Sequence, residues 1–350
     1  MKRLFNHKKT IALVLLFFLF AAAMLLYLNK VFDMKDDKHA EQTFACFYAQ
    51  KKNSLDGVYI GSSSVYRYWI PTQAYQKYGM RIFNLSTGSQ PVVLQKYIIK
   101  DALKKQPGMK VILIDIRSIV SASKTLKESD IRRVTDSMPM SVNRFQAINA
   151  ALKYFKSQGA DISYNKSYYY FSFLFYHNRW SDDLSTSDLN PRTKQNAYMG
   201  FVYDSASRAE YAVDPPEYVS GTGKLDAEKK AVLEDLLDYC STLKQKVIFV
   251  SSPYEIPESD QKDLHSCEKM IRDKGFTFID FNSKKMTGKI NLNWSTDFLN
   301  TKHVNINGAE KYTRYLSSWL NQHVTFGKHT DSASKTAWDK AARALNRKLS

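Results

Sequence analysis

Cysteine is scarce in this chain. Only Cys46, Cys240 and Cys267 occur among 350 residues, at spacings that match no metal-binding motif. The count is odd, and Cys240 falls on the apolar face of an expected helix, so buried thiols are expected and no structural dependence on disulfides. Histidine is also sparse, at seven, and no two histidines stand at a spacing suited to zinc. No metal is called for, and no cofactor is expected. Recognisable nucleic-acid-binding motifs are absent as well. The formal net charge of +17 therefore needs another explanation, and no nucleic-acid partner is expected.

What is present begins at the N-terminus. Lys2, Arg3, Lys8 and Lys9 precede an apolar run from Ile11 to Leu28, 18 residues without a charge, about the least that a helix needs to cross a bilayer core. Ala21-Ala22-Ala23 supplies the small residues of a cleavable signal peptide. Those alanines lie inside the run and not after it, which favours an uncleaved anchor. The basic flank predicts a single-pass protein with its N-terminus in the cytoplasm and residues from about 30 onward outside the cell membrane. Four of the 51 Lys+Arg lie in this segment, so the rest carries 47 basic against 34 acidic groups, a net of +13. Such a surface suits anionic envelope polymers or lipid head groups. The plainer alternative is a solvated basic face that maintains solubility.

From Gly57 onward, apolar runs and helical patterns alternate in the way that signals a parallel sheet between helices. Strands are expected at 58–60, 81–85, 110–116, 246–250 and 276–281. The third is the clearest, because its continuous apolar run suits a strand buried on both faces. The expected fold class is a three-layer α/β/α domain around a central, mostly parallel five-stranded sheet. The expected organisation is a basic tip and anchor over 1–30, a lead-in over 31–56, the α/β domain over 57–322 and a basic tail over 323–350. An insertion after strand three, 119–224, exceeds what a crossover needs. It carries an aromatic run, Tyr168 to Trp180, that reads either as packing or as a platform lining a site, with Tyr176, Arg179 and Trp180 as candidate lining residues. The tail pattern, Trp338, Ala341, Leu345 and Leu349, reads as a short helix suited to a membrane surface or as a frayed end.

Polar residues gather where strands stop. Gly57-Val58-Tyr59-Ile60 ends in Gly61-Ser62-Ser63-Ser64, and 240 residues later His303 stands in Asp297-Phe298-Leu299-Asn300-Thr301-Lys302-His303, before a helix. A serine hydroxyl attacks an ester only when a neighbouring base removes its proton. Histidine suits that task near neutral pH. A Gly-Ser-Ser turn is also a common loop, so the pair is what raises the signal. Strand two ends in Asn84-Leu85-Ser86-Thr87-Gly88-Ser89, where the Gly88 N–H is a candidate oxyanion donor beside that of Ser63. Strand three ends in Asp115-Ile116-Arg117, where Arg117 either assists by charge or pairs with a nearby acid.

With those motifs in view the chain resembles the SGNH/GDSL hydrolase superfamily over roughly 57–320. The likeness is to its membrane-anchored branch, related to the D-alanyl-lipoteichoic-acid and alginate-type O-acetylation proteins. The resemblance implies a flavodoxin-like fold, with Ser63 as nucleophile through Gly61-Ser62-Ser63, Gly88 as the second-block glycine and His303 as base. Two departures stand out. The family places its triad carboxylate three residues before the histidine, where this chain has Asn300. The Gly-x-Asn-Asp of the third block is missing. Asp297 could complete a triad in place of Asn300, or the site could run as a Ser-His dyad with the Asn300 amide orienting the ring.

The expected function is therefore a membrane-anchored serine esterase or O-acyltransferase, with acetyl the expected acyl group. Its substrate would be an envelope polysaccharide, a teichoic-acid-like polymer or another acyl ester, and its partner an integral-membrane acyltransferase. The alternative is a catalytically degenerate envelope protein that binds a glycopolymer or scaffolds an acyl-exporting membrane partner. An ordinary secreted lipase would leave the anchor and the basic surface without a role.

Overall fold

A computed structural model describes residues 2–32, 38–120, 126–182, 184–186, 188–189, 194–327 and 329–350. Residues 33–37 of the expected lead-in, and 121–125, 183, 187 and 190–193 of the expected insertion, lie outside the described residues. The chain separates into two compact units, one of residues 1–38 with 164–193 and one of 39–163 with 194–350.

The larger unit holds a five-stranded sheet: β1 Gly57–Gly61, β2 Ile82–Ser86, β3 Val111–Asp115, β4 Lys246–Ser251 and β5 Thr277–Asp280. Every neighbouring pair is parallel, and the spatial order is β2-β1-β3-β4-β5. In this doubly wound order the direction of winding reverses between β1 and β3, and ligands in such sheets bind at the carboxyl ends of the strands near that point. All residues of β1, β2 and β3 are buried, because helices cover both faces. Phe83 meets Phe47 of the helix His39–Ala49, ring centroids 5.6 Å apart. That helix lies within the expected lead-in, which is therefore partly a packed element of the domain. On the other face Tyr59, Leu113 and Ile248 share a core with Tyr312, Leu316 and Leu320 of the helix Ile306–His323.

The tail departs from the expectation of a frayed end. Ser332–Leu349 is an 18-residue helix with Trp338 wholly buried. The indole sits 5.4 Å from the Tyr75 ring, and the Tyr75 hydroxyl donates to Asp339 Oδ1 at 2.8 Å. Its apolar stripe is thus a core face.

The insertion is divided between the units. Residues 126–163, with the helices Glu128–Thr135 and Val142–Ser157, and the returning leg 194–213 belong to the α/β unit. The returning leg lies along the free edge of β2, with Asn84 N–H donating to Met199 O at 3.1 Å. Gly200 is required there, because a Cβ would stand 2.1 Å from Asn84 O.

The smaller unit contains the helix Lys2–Val31. Its stretch His7–Val31 is long and apolar enough to cross a membrane, and large side chains from Ile11 to Tyr27 are exposed along it. The aromatic run packs on this helix: Ser172 Oγ donates to Asn29 O at 3.2 Å, and Trp180 stacks on Phe32 with centroids 6.4 Å apart.

Trp338→Ala should lower stability by about 3–5 kcal/mol, the usual cost of emptying a large aromatic site. Urea unfolding of the purified protein measures this, and a change under 1 kcal/mol would mean that the tail helix does not pack.

Candidate functional site at the carboxyl edge of the sheet

Two chain turns build the site. The first follows β1. A Cβ on Gly61 would lie 2.8 Å from Asp115 Cβ and 2.7 Å from Val65 Cγ2, so only glycine lets β1 end this close to β3. Ser62 then caps the short helical turn Ser63–Tyr66, its Oγ accepting the Ser64 N–H at 3.4 Å. Ser63 is left at the start of that turn, partly exposed. The second is a tight antiparallel hairpin, β6 Phe298–Asn300 with β7 His303–Val304, in which Asn300 faces His303. Asn305 anchors it. Its Oδ1 accepts the N–H groups of Asn307 and Gly308 at the head of the helix Ile306–His323. Its Nδ2 donates to Ala209 O at 2.9 Å and Thr296 O at 2.7 Å.

These turns bring Ser63 Oγ to 2.7 Å from His303 Nε2. On the far side of the ring, Nδ1 stands 3.1 Å from Asn300 Oδ1. The Lys302 backbone N–H donates to that same Oδ1 at 2.9 Å. A backbone N–H is a donor only, so the amide atom it meets must be the oxygen. Nδ1 must then carry the ring proton, and Nε2 presents a lone pair to the Ser63 hydroxyl. The tautomer follows from the hydrogen-bond network.

Charge around the ring acts in one direction. Burial first, then Arg117, Arg67 and Lys302, lower the His303 pKa from its ordinary 6.5 to about 3. The imidazole is neutral at physiological pH, as a general base must be, but it is a weak base. The guanidinium of Arg117 is buried, with Nη2 donating to Lys302 O at 2.6 Å, Nη1 donating to the Tyr68 hydroxyl at 3.1 Å, and the group lying 4.0 Å above the Tyr254 ring. Arg117 thus holds the hairpin that carries His303. Its backbone N–H, and not its guanidinium, meets Asp115 Oδ1 at 2.9 Å.

Asp115 supports the nucleophile turn from below. It is fully buried, and its oxygens accept from Ser64 Oγ at 2.9 Å, Ser252 Oγ at 2.6 Å and Ser252 N at 3.1 Å. Burial raises its pKa, opposed by the Ser252 hydrogen bond and the Arg117 charge. Ser252 stands 3.4 Å from the Tyr312 hydroxyl, which in turn lies 2.6 Å from that of Tyr59. A carboxylate with this many donors fixes the loops after β1, β3 and β4 to one another.

Asp297 and Asn84 have partners of their own. Asp297 is buried, but its Oδ2 accepts from Lys311 Nζ at 2.7 Å and Asn293 N at 2.6 Å. It braces the hairpin's base, and the partner of His303 Nδ1 is Asn300. The Asn84 amide donates to Trp69 O at 2.8 Å, a structural bond in the core. Gly88 lies in the turn after β2, which pairs with β1 so that Ser86 faces Gly61. Tyr176, Arg179 and Trp180 belong to the smaller unit, where Arg179 donates to Val31 O at 3.2 Å and pairs with Asp188 at 3.1 Å. Ser252, Tyr68 and Tyr254 were not expected at the site. The run Ser251-Ser252-Pro253-Tyr254 at the end of β4 was the available signal, since polar residues at that edge marked the other strand ends.

Among the described residues, no group of three or more His, Cys, Asp or Glu gathers where a metal ion could sit. The three cysteines are free and buried, and burial pushes each thiol up to about 12. Compared with known proteins, the chain matches no protein-family model and no curated protein.

The geometry separates the two acidic-block residues by experiment. Asn300→Asp puts a negative charge against Nδ1 and should raise the His303 pKa by about 1–3 pH units, read by NMR titration of the ring. Asp297→Ala should leave that titration in place and cost about 1.5–3 kcal/mol in unfolding experiments, through loss of a buried charged acceptor. The reverse pattern would make Asp297 the partner of His303. Wild-type stability should also fall as pH drops from 6.5 towards 3, because the unfolded histidine binds a proton that the folded one refuses.

Proposed function

We propose that the chain is a membrane-anchored serine esterase or O-acyltransferase of the SGNH type, facing outside the cell membrane and acting on acyl esters of an envelope glycopolymer. The single observation that carries this reading is the 2.7 Å contact between Ser63 Oγ and His303 Nε2. The doubly wound strand order, the position of both residues at its carboxyl edge and the Gly61-Ser62-Ser63 turn support the SGNH assignment. The basic flank of the apolar helix supports an outward-facing domain.

In the proposed reaction Ser63 Oγ attacks the acyl carbonyl carbon while its proton passes to His303 Nε2. The carbonyl oxygen becomes an oxyanion held by the backbone N–H groups of Ser63 and Gly88. Collapse breaks the ester bond, and His303 returns the proton to the departing alkoxide. Water, or a hydroxyl of an acceptor sugar, then loses its proton to His303 and attacks the acyl-serine, which restores the free Ser63 hydroxyl. Transfer requires exclusion of water from the acyl-enzyme. An integral-membrane partner that delivers the acyl group would serve this purpose.

The depressed basicity of His303 favours one competing reading. An asparagine cannot stabilise the imidazolium by charge, and Arg117 opposes its formation. A protein that retained the fold to bind a glycopolymer or scaffold an acyl-exporting partner would tolerate that loss.

Labelling of the full-length protein in a neutral detergent with a fluorophosphonate probe separates the two. The enzyme reading predicts labelling of wild type that Ser63→Ala abolishes and His303→Ala reduces by at least about 100-fold, the scale of general-base contributions. An unlabelled but folded wild type would leave the binding reading in possession.

A further inference from the structure

The helix Lys2–Val31 leaves its last backbone carbonyls without partners inside the helix, as every α-helix does. The segment 164–189 of the same unit supplies several of them. Ser172 Oγ donates to Asn29 O and Arg179 Nη1 donates to Val31 O, each at 3.2 Å. The Phe173 N–H donates to Asn29 Oδ1 at 3.2 Å, and in the opposite sense the Tyr27 hydroxyl donates to Leu189 O at 2.8 Å. All four contacts fall on residues 27–31, where the apolar run from Ile11 to Leu28 gives way to Asn29 and Lys30. Those 18 residues rise about 27 Å as a helix, close to the thickness of a bilayer core. Whatever is bound to the last turn then stands where hydrocarbon meets head groups.

What the segment presents there fits that boundary. Phe171, Phe173, Phe175 and Tyr176 are only half-buried. Trp180 lays one face on Phe32, yet it is 75% exposed, the most of any large apolar side chain among the described residues. Leu189 is 49% exposed. Uncovered rings of this kind are unfavourable in water, whereas indole and phenol side chains are enriched where a chain leaves a bilayer. The polar groups are arranged accordingly. Arg179 is neutralised by Asp188 at 3.1 Å, and protein side chains meet the helix carbonyls, as a layer poor in water requires.

We propose that residues 164–189 form a membrane-interface collar around the end of the helix Lys2–Val31, with Trp180 and Leu189 seated among the lipid head groups and the first carbons of the acyl chains. The inference rests on that helix spanning the bilayer, and it is independent of Ser63 and His303. Lipid is the occupant because the collar continues the surface of the helix, whose large apolar side chains from Ile11 to Tyr27 are themselves exposed. The collar sets how far the helix is inserted, since sliding in either direction would carry the aromatic rings into water or Arg179 and Asp188 into hydrocarbon.

The test uses full-length protein in phosphatidylcholine nanodiscs, with a nitroxide label on Trp180→Cys or, as the control within the apolar run, on Leu19→Cys. The three native cysteines are buried, and both substituted positions are exposed, so the variants should fold and label at one site. Power-saturation measurements compare collisions with oxygen, which partitions into lipid, and with a water-soluble nickel chelate. The label at position 19 should be shielded from the chelate and open to oxygen, and the label at 180 should show the same preference at shallower depth. A second readout needs no label: phosphatidylcholine brominated near the head group should quench part of the wild-type tryptophan fluorescence, and Trp180→Phe should lose that part. A label at 180 as open to the chelate as in water, with position 19 shielded, overturns the collar and leaves a protein partner as the cover for these rings. Chelate access at both positions overturns the spanning helix and the collar together. Equal quenching of wild type and Trp180→Phe also overturns the proposal.

Discussion

One amide oxygen sets the state of the site. Asn300 Oδ1 accepts the Lys302 N–H on one side and the His303 Nδ1 proton on the other, and this fixes which ring nitrogen faces Ser63. An aspartate there would orient the ring equally well and would also stabilise the imidazolium. The asparagine supplies orientation alone. Arg117 adds to the difference, because the cation that holds the hairpin through Lys302 O also disfavours a proton on His303. Orientation and basicity, which a carboxylate couples, are separated in this chain.

That hairpin is positioned by buried polar groups with full sets of partners. Asp297 and Asn305 hold its base, Arg117 and Tyr68 hold its tip, and Asp115 ties the turn bearing Ser63 to the end of β4. A buried polar group is stable only when such partners are present. The network therefore leaves the two reacting side chains little freedom.

Much of the architecture was legible in the sequence, for physical reasons. Strands buried on both faces need unbroken apolar runs, so β3 and β4 announced themselves. Ser63 and His303 were legible because each sits where a strand or loop meets a helix. Other features depended on partners distant in sequence. The stripe of the tail helix suited a membrane as well as a core, and only the Tyr75 face decides between them. The aromatic run around Tyr168 gave no sign that it packs with the apolar helix. Asn300 stands three residues before His303 and Asp297 six, and the hairpin geometry selects the nearer one.

The most direct measurement of the central claim is the tautomer of His303 in the folded protein, read from long-range ¹H–¹⁵N NMR correlations of the imidazole at neutral pH. The account predicts a neutral ring with its proton on Nδ1 and a bare Nε2, and loss of that preference in Asn300→Ala. A proton on Nε2, or an imidazolium at neutral pH, would contradict it.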